Sequence, residues 1–175
     1  VRGKLSGISG LVDSTIDTVR RISSDLRPTL LDDLGLVPTI EWQASQFKKR
    51  TGIQCTFSAN SDAGDINREG ATAVFRILQE VLTNIIRHAK ASNVAIELSL
   101  SEGWLELSVQ DNGRGITESE KADARSIGLL GMSERARLVG GVVEINGMAE
   151  EGTKVSIRVP INPVPGSPGK AFKDV

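Results

Sequence analysis

Helix-period stretches and strand-like alternating stretches mix along these 175 residues without the regular strand–helix alternation of a parallel doubly wound sheet, which predicts an α+β fold. Two further observations suggest its layers. The longest helical stretch has a single apolar face, and two neighbouring alternating stretches meet at Glu102-Gly103, a plausible hairpin. The expected architecture is a two-layer α/β sandwich, a mixed and largely antiparallel sheet covered by helices on one side, with one more helix ahead of it.

That leading helix is announced by a heptad. Leu5, Ile8, Val12, Thr15, Val19, Ile22 and Leu26 follow one another at alternating spacings of three and four, and Leu11 and Ile16 widen the stripe. Pro28 ends or kinks it. The stripe suits either a helix packed on its own domain or a partner helix in a dimer. A Leu-rich link from Thr29 to Gly35 follows, and Pro38 to Arg50 reads as a second helix closed by Gly52. Ile53 to Ser58 alternates as a strand, with Cys55 read as a small buried apolar residue. Asn60 to Asn67 reads as a loop. Glu69 to Ala89 is a long amphipathic helix whose apolar face carries Val74, Ile77, Leu78, Val81, Leu82, Ile85 and Ile86. Val94 to Leu100 and Leu105 to Val109 form the hairpin strands, and Asp111 to Ile127 is a polar, glycine-containing stretch. Leu129 to Val139 is helical, and Val142 to Ile145 and Lys154 to Val159 close the sheet. The tail from Asn162 is rich in proline and glycine and is expected to be a disordered linker.

Composition narrows the function classes. A hydrophobic fraction of 39% with 25% charged residues is that of a soluble globular chain. A net charge of -1 and a pI near 5.9 give no global field for nucleic acid or an anionic membrane. One cysteine excludes an internal disulfide and any multi-cysteine metal site, and suits a reduced cytoplasmic setting. No apolar run approaches the ~18 residues of a membrane span. Val1 suggests that the sequence is part of a longer protein.

Four short elements carry the chemistry. On the long helix, Glu80, Asn84, Arg87 and His88 share one polar face, opposite the isoleucines. A carboxylate, an amide oxygen and a guanidinium supply a base, a hard-cation ligand and a phosphate clamp, the parts of an ATP–Mg²⁺ site. Asp111-Asn112-Gly113-Arg114-Gly115 puts an acceptor at a strand end beside backbone that a flat ligand can approach closely. Gly128-Leu129-Leu130-Gly131-Met132, just before a helix, offers N–H groups as a phosphate cradle. Gly152-Thr153 enters the last strand. Taken singly, each has an ordinary explanation: a solvated helix face, a turn, a loop-to-helix junction.

In this order and spacing the four elements resemble the ATPase superfamily shared by gyrase, a heat-shock chaperone, histidine kinases and mismatch-repair proteins, over roughly Glu69 to Pro160. The resemblance implies a Bergerat-type ATP-binding sandwich. It implies that Asn84 binds Mg²⁺, that Glu80 is the candidate catalytic base, and that Arg87 and His88 face the phosphates. Asp111 would accept a hydrogen bond from the adenine amino group, with Gly113 and Gly115 making room and Thr153 supporting Asp111 through water. Gly128, Leu129, Gly131 and Met132 would form the glycine box at the end of a mobile lid, Ile116 to Ile127.

Within the superfamily the sequence is similar to histidine kinases related to the nitrate and nitrite sensors. The similarity lies in Gly131-Met132-Ser133-Glu134-Arg135-Ala136 after a short lid, and in Leu26-Arg27-Pro28 through Leu36. This implies a second dimerisation helix and linker over 1–35, a catalytic domain over 36–161 and a tail over 162–175. It further implies a cytoplasmic homodimer that serves a response-regulator receiver domain. One departure stands out: the only histidine, His88, lies in the nucleotide box and is followed by Ala89, so no phosphoacceptor motif is present. Transfer would go to a histidine outside these residues. The rival readings are an ATP-hydrolysing clamp, a serine-kinase anti-sigma factor and a non-catalytic dimerisation module.

Overall fold

The structure is a computed structural model and describes residues 29–60, 66–117, 120, 127–148 and 151–161. The heptad over residues 5–26, most of the expected lid and the tail from 162 lie outside the described residues. The chain divides into two compact units, Val1–Asp33 and Leu34–Val175. Of the first, only residues 29–33 are described, within the short helix α1 (Thr29–Leu34), where the sequence suggested a plain link.

In the second unit, α2 (Leu36–Thr51) buries Leu36, Thr39, Ile40, Ala44 and Phe47, a one-sided stripe at helical spacing. The buried Thr39 hydroxyl is satisfied by donating to the Gly35 carbonyl at 2.6 Å. Gly52 ends the helix in a left-handed conformation, its N–H on the Lys48 carbonyl. Strand β1 (Gln54–Ala59) follows, and then α3 (Arg68–Asn84), whose N-cap Asn67 accepts the Gly70 N–H at 2.7 Å. Val74, Phe75, Ile77, Leu78, Val81 and Leu82 of α3 are all buried. Each such side chain contributes about 1.5–3 kcal/mol by leaving water.

After Asn84 the helix does not end but widens into a π turn, Ile85–Ala89. The sequence had predicted one α-helix through Ala89. Because i→i+5 bonding changes the angular step, Ile85 stays buried while Ile86 turns outward and is 45% exposed, contrary to its expected place on the apolar face.

The remaining strands are β2 (Asn93–Ser101), β3 (Trp104–Asp111), β4 (Val142–Met148) and β5 (Gly152–Pro160), with α4 (Ile127–Leu138) before β4. The five-stranded order is β1-β2-β3-β5-β4. β1 runs parallel to β2 and every other pair is antiparallel, the mixed, largely antiparallel sheet that was expected. The one parallel pair is the one whose strands are joined by a crossover helix, α3. The β2–β3 turn places Glu102 and Gly103 at φ 51 and 81, the two positive angles of a type I′ hairpin.

One sheet face presents Val94, Ile96, Leu98, Leu105, Leu107, Val109, Val155, Ile157 and Val159, all buried. α2 packs on β1, α3 on β3 and β5, and α4 on β4 and β5. Cys55 on the edge strand β1 is only half-buried, less than its alternation suggested, and its partial burial pushes the thiol's pKa up against the opposing pull of Lys48. No helix among the described residues is long and apolar enough to cross a membrane.

Candidate functional site

A cavity of about 470 Å³ opens where α3, the π turn, the end of β3 and the start of α4 converge over β4 and β5. One wall is polar: Glu80 and Asn84 come from the last turns of α3, and Arg87 and His88 from the π turn. Apolar side chains complete much of the lining: Val81, Ile85, Ile116, Leu129, Met132, Ile145 and Val155. Asp111, Thr153 and the buried Gly115 also line it, and the partly exposed Arg114–Glu120 pair stands at its rim. Such a cavity suits a ligand with a flat apolar end and an anionic end.

Asp111 is the one charged residue of this site held out of water, at 4% exposure. Its Oδ1 accepts the Gly113 N–H at 2.8 Å, and the Thr153 backbone N–H also reaches the carboxylate. Burial raises its pKa above the ordinary carboxylate range, and the two N–H groups pull it partly back. Gly113 is confined here. A side chain at that position would overlap the Ala89 carbonyl oxygen and crowd Asp111 Oδ1 at 2.8 Å. Its bare backbone lets the strand end lie against the π turn.

The loop after β3 is tied both to the π turn and to the start of β2. The Asn112 Oδ1 accepts the Ser92 and Asn93 N–H groups at 3.0 and 2.9 Å, and its Nδ2 donates to Ser92 Oγ at 2.9 Å. Arg114 donates through its backbone N–H to the Ala89 carbonyl at 2.9 Å and through Nε to the His88 carbonyl at 2.8 Å. Its terminal nitrogens meet Glu120 at 2.8 and 3.3 Å. The guanidinium and two Thr117 donors hold the Glu120 pKa down to about 2.

α4 begins at Ile127, so Gly128 and Gly131 lie inside its opening turns rather than ahead of them. Gly128 lies against the Glu80 carboxylate, where any side chain would overlap Oε1. That contact brings the start of α4 to the polar wall, where the N–H groups of a helix's opening turn and its dipole favour an anion.

The cavity thus gathers Glu80, Asn84, Arg87, His88, Asp111, Gly115, Gly128, Leu129, Met132 and Thr153 of the residues singled out from sequence. Gly113 and Gly131 do not line it: Gly113 packs behind Asp111, and Gly131 faces the Arg135 guanidinium. Sequence reasoning missed the ties made by Asn112 and Arg114 and the presence of Glu120 on the rim. The only signal for the first two was their place inside the Asp111–Gly115 element. Among the described residues no three His, Cys, Asp or Glu side chains converge on a standing metal site. Asn84 does bring a hard amide oxygen to the cavity wall, a donor that fits a Mg²⁺ ion arriving with phosphates.

Comparison with known proteins gives this geometry a lineage. Residues 69–163 match the family described as histidine kinase-, DNA gyrase B-, and HSP90-like ATPase. The oxygen sensor histidine kinase NreB of Staphylococcus carnosus is 38% identical over 154 residues, covering 88% of this chain and 44% of that protein. The signal transduction histidine-protein kinase/phosphatase DegS of Brevibacillus brevis is 36% identical, covering 86% of this chain and 39% of that protein. Among solved structures, the Erythrobacter litoralis EL346 blue-light activated histidine kinase superposes with a TM-score of 0.68 at 26% identity, over 85% of this chain and 50% of that one. The chain spans less than half the length of the curated relatives it matches. It belongs to the histidine kinase-, DNA gyrase B- and HSP90-like ATPase family, with sensor histidine kinases as its relatives and ATP as the nucleotide that membership implies.

Proposed function

We propose that this chain is the ATP-binding catalytic domain of a two-component sensor histidine kinase. It would pass the γ-phosphoryl group of ATP to a histidine outside these residues, from which a response-regulator receiver domain takes it. One observation carries this reading. A cavity lined by a buried aspartate and by Glu80, Asn84, Arg87 and His88 occurs in a chain whose curated relatives are sensor histidine kinases. The same relatives favour a kinase over the clamp and anti-sigma readings.

In the proposed site Asp111 accepts from the adenine amino group, with Thr153 beside it and Gly113 and Gly115 leaving space for the ring. Arg87, His88 and the N–H groups around Gly128, Leu129, Gly131 and Met132 take the phosphates. Asn84 holds Mg²⁺, which when bound neutralises phosphate charge. Positioning supplies most of the catalysis. A bond forms between the acceptor imidazole nitrogen and the γ-phosphorus as the bond to the bridging oxygen breaks. ADP leaves with that electron pair, and the imidazole proton passes to Glu80. Residues 1–35 would supply the second dimerisation helix of a homodimer, and the domain would work in the cytoplasm.

The test uses radiolabelled ATP with Mg²⁺, first with this chain alone and then with a separate polypeptide carrying an acceptor helix. Acid-labile label is expected on the added polypeptide and none on this chain. Label on this chain alone that disappears in His88→Gln, or steady phosphate release without any acceptor, would refute the proposal.

A further inference from the structure

The last carbonyls of any helix lack an N–H within it, and the π turn ends at Ala89, with Lys90 in a left-handed conformation at φ 54. Both terminal carbonyls find donors on one residue. Arg114 covers His88 with Nε at 2.8 Å and Ala89 with its backbone N–H at 2.9 Å. Its fork is held from the other side by Glu120, at 2.8 and 3.3 Å. Glu120 is in turn oriented by the Thr117 N–H at 2.9 Å and the Thr117 hydroxyl at 3.0 Å.

From this geometry we infer that Arg114 is a positioning residue: it caps the π turn and thereby holds Arg87 and His88 at the phosphate side of the cavity, leaving the adenine side to Asp111. The inference rests on the nucleotide reading proposed above.

Two features set this arrangement apart from an exposed ion pair, which by itself contributes little. One partner is a backbone carbonyl of the very turn that carries two cavity side chains. The other is a carboxylate already fixed by its own neighbours. A lysine cannot substitute, because one ammonium reaches either the carbonyl or the carboxylate while the planar guanidinium spans both. Asp111 does not share the dependence, since its partners are the backbone N–H groups of Gly113 and Thr153. Losing Arg114 should therefore weaken binding at one end of the ligand only.

The experiment measures displacement of a fluorescent ATP analogue by ATP–Mg²⁺ and by adenosine, on the full 175-residue chain. It compares wild type, Arg114→Ala and Arg114→Lys, with thermal melting to confirm folding. Arg114→Ala is expected to weaken ATP by about three- to tenfold, the range of an ordinary net hydrogen bond acting through the turn, with adenosine within about twofold. Arg114→Lys should behave like Arg114→Ala, although it keeps a positive charge at the rim. Added methylguanidinium should restore ATP affinity to Arg114→Ala and leave wild type unchanged. Wild-type ATP affinity in either variant, or equal losses for ATP and adenosine, would overturn the inference. A wild-type chain that binds neither ligand would instead remove the nucleotide reading itself.

Discussion

Asp111→Ala takes away an acceptor that the fold uses and that the proposed ligand would share. The carboxylate is 4% exposed and receives the Gly113 N–H at 2.8 Å together with the Thr153 N–H. Alanine strands both donors. A buried unsatisfied donor costs about 1–3 kcal/mol, and water entering from the cavity relieves part of it, so the expected loss of stability is about 2–4 kcal/mol. Binding loses a separate hydrogen bond, to the adenine amino group, worth about 1–3 kcal/mol or roughly five- to 150-fold in affinity. Asp111→Asn divides the two effects. Its carbonyl oxygen still serves Gly113, but its amide meets Thr153 or the adenine with a donor where an acceptor is required. Part of the stability should return while binding stays weak. Urea denaturation reads the first quantity, and calorimetric titration with ATP–Mg²⁺ and with adenosine reads the second. The sign with pH follows from the raised pKa: folding favours the protonated form, so this group's contribution falls as pH rises from the ordinary carboxylate range through the folded value. Wild-type adenosine affinity in either variant would refute the assignment of Asp111.

Other perturbations probe the rest of the site. Asn84→Ala should weaken ATP–Mg²⁺ much more than adenosine, because its proposed partner is the metal; equal losses in the same titrations would count against that role. Gly113→Ala should destabilise the fold by about 1–3 kcal/mol, the usual range for forcing atoms into packed space, since the new carbon overlaps the Ala89 carbonyl; an unchanged melting temperature would contradict it. Glu120 should titrate near pH 2 by carboxyl NMR, and Arg114→Gln or high salt should return it toward its ordinary value of 4.5. Any stability this exposed pair supplies is present above that ordinary value and is lost as pH falls through about 2.

Legibility followed the physics of each signal. The buried face of α3 could be read because Val74, Ile77, Leu78, Val81 and Leu82 keep helical period, and the β2–β3 turn because Glu102-Gly103 sits between alternating runs. The π turn was not legible. Nothing in Ile85-Ile86-Arg87-His88-Ala89 differs in composition from an ordinary helix, and the bonds that Arg114 makes to the last two carbonyls of the turn come from a residue distant in sequence. Cys55 shows another limit: alternation tells which face a side chain takes but not whether its strand lies at the edge, where cover is thinner. Ten candidate residues line one cavity because the sheet order brings the ends of α3, β3 and β5 and the start of α4 together. Asn112 escaped notice because a loop amide that satisfies three partners has the same sequence as one that faces solvent.

The parallel pairing of Gln54 with Asn93 has a bearing on how this domain comes apart. Everything between those two residues, including all of α3 and the π turn, is spliced into the sheet at both ends. That segment cannot peel away as a flap, since freeing it means stripping β1 or β2 from its neighbours. Glu80, Asn84, Arg87 and His88 are therefore carried on helical turns tethered to the sheet on both sides, with the inner face of α3 buried against it. A protease acting on the native chain should cut α3 slowly, because its inner face from Val74 to Leu82 is buried. The cavity wall is then not an appendage of a stable scaffold. It is part of the crossover that joins the sheet's parallel pair, so a change that disturbs the wall is also felt by β1 and β2.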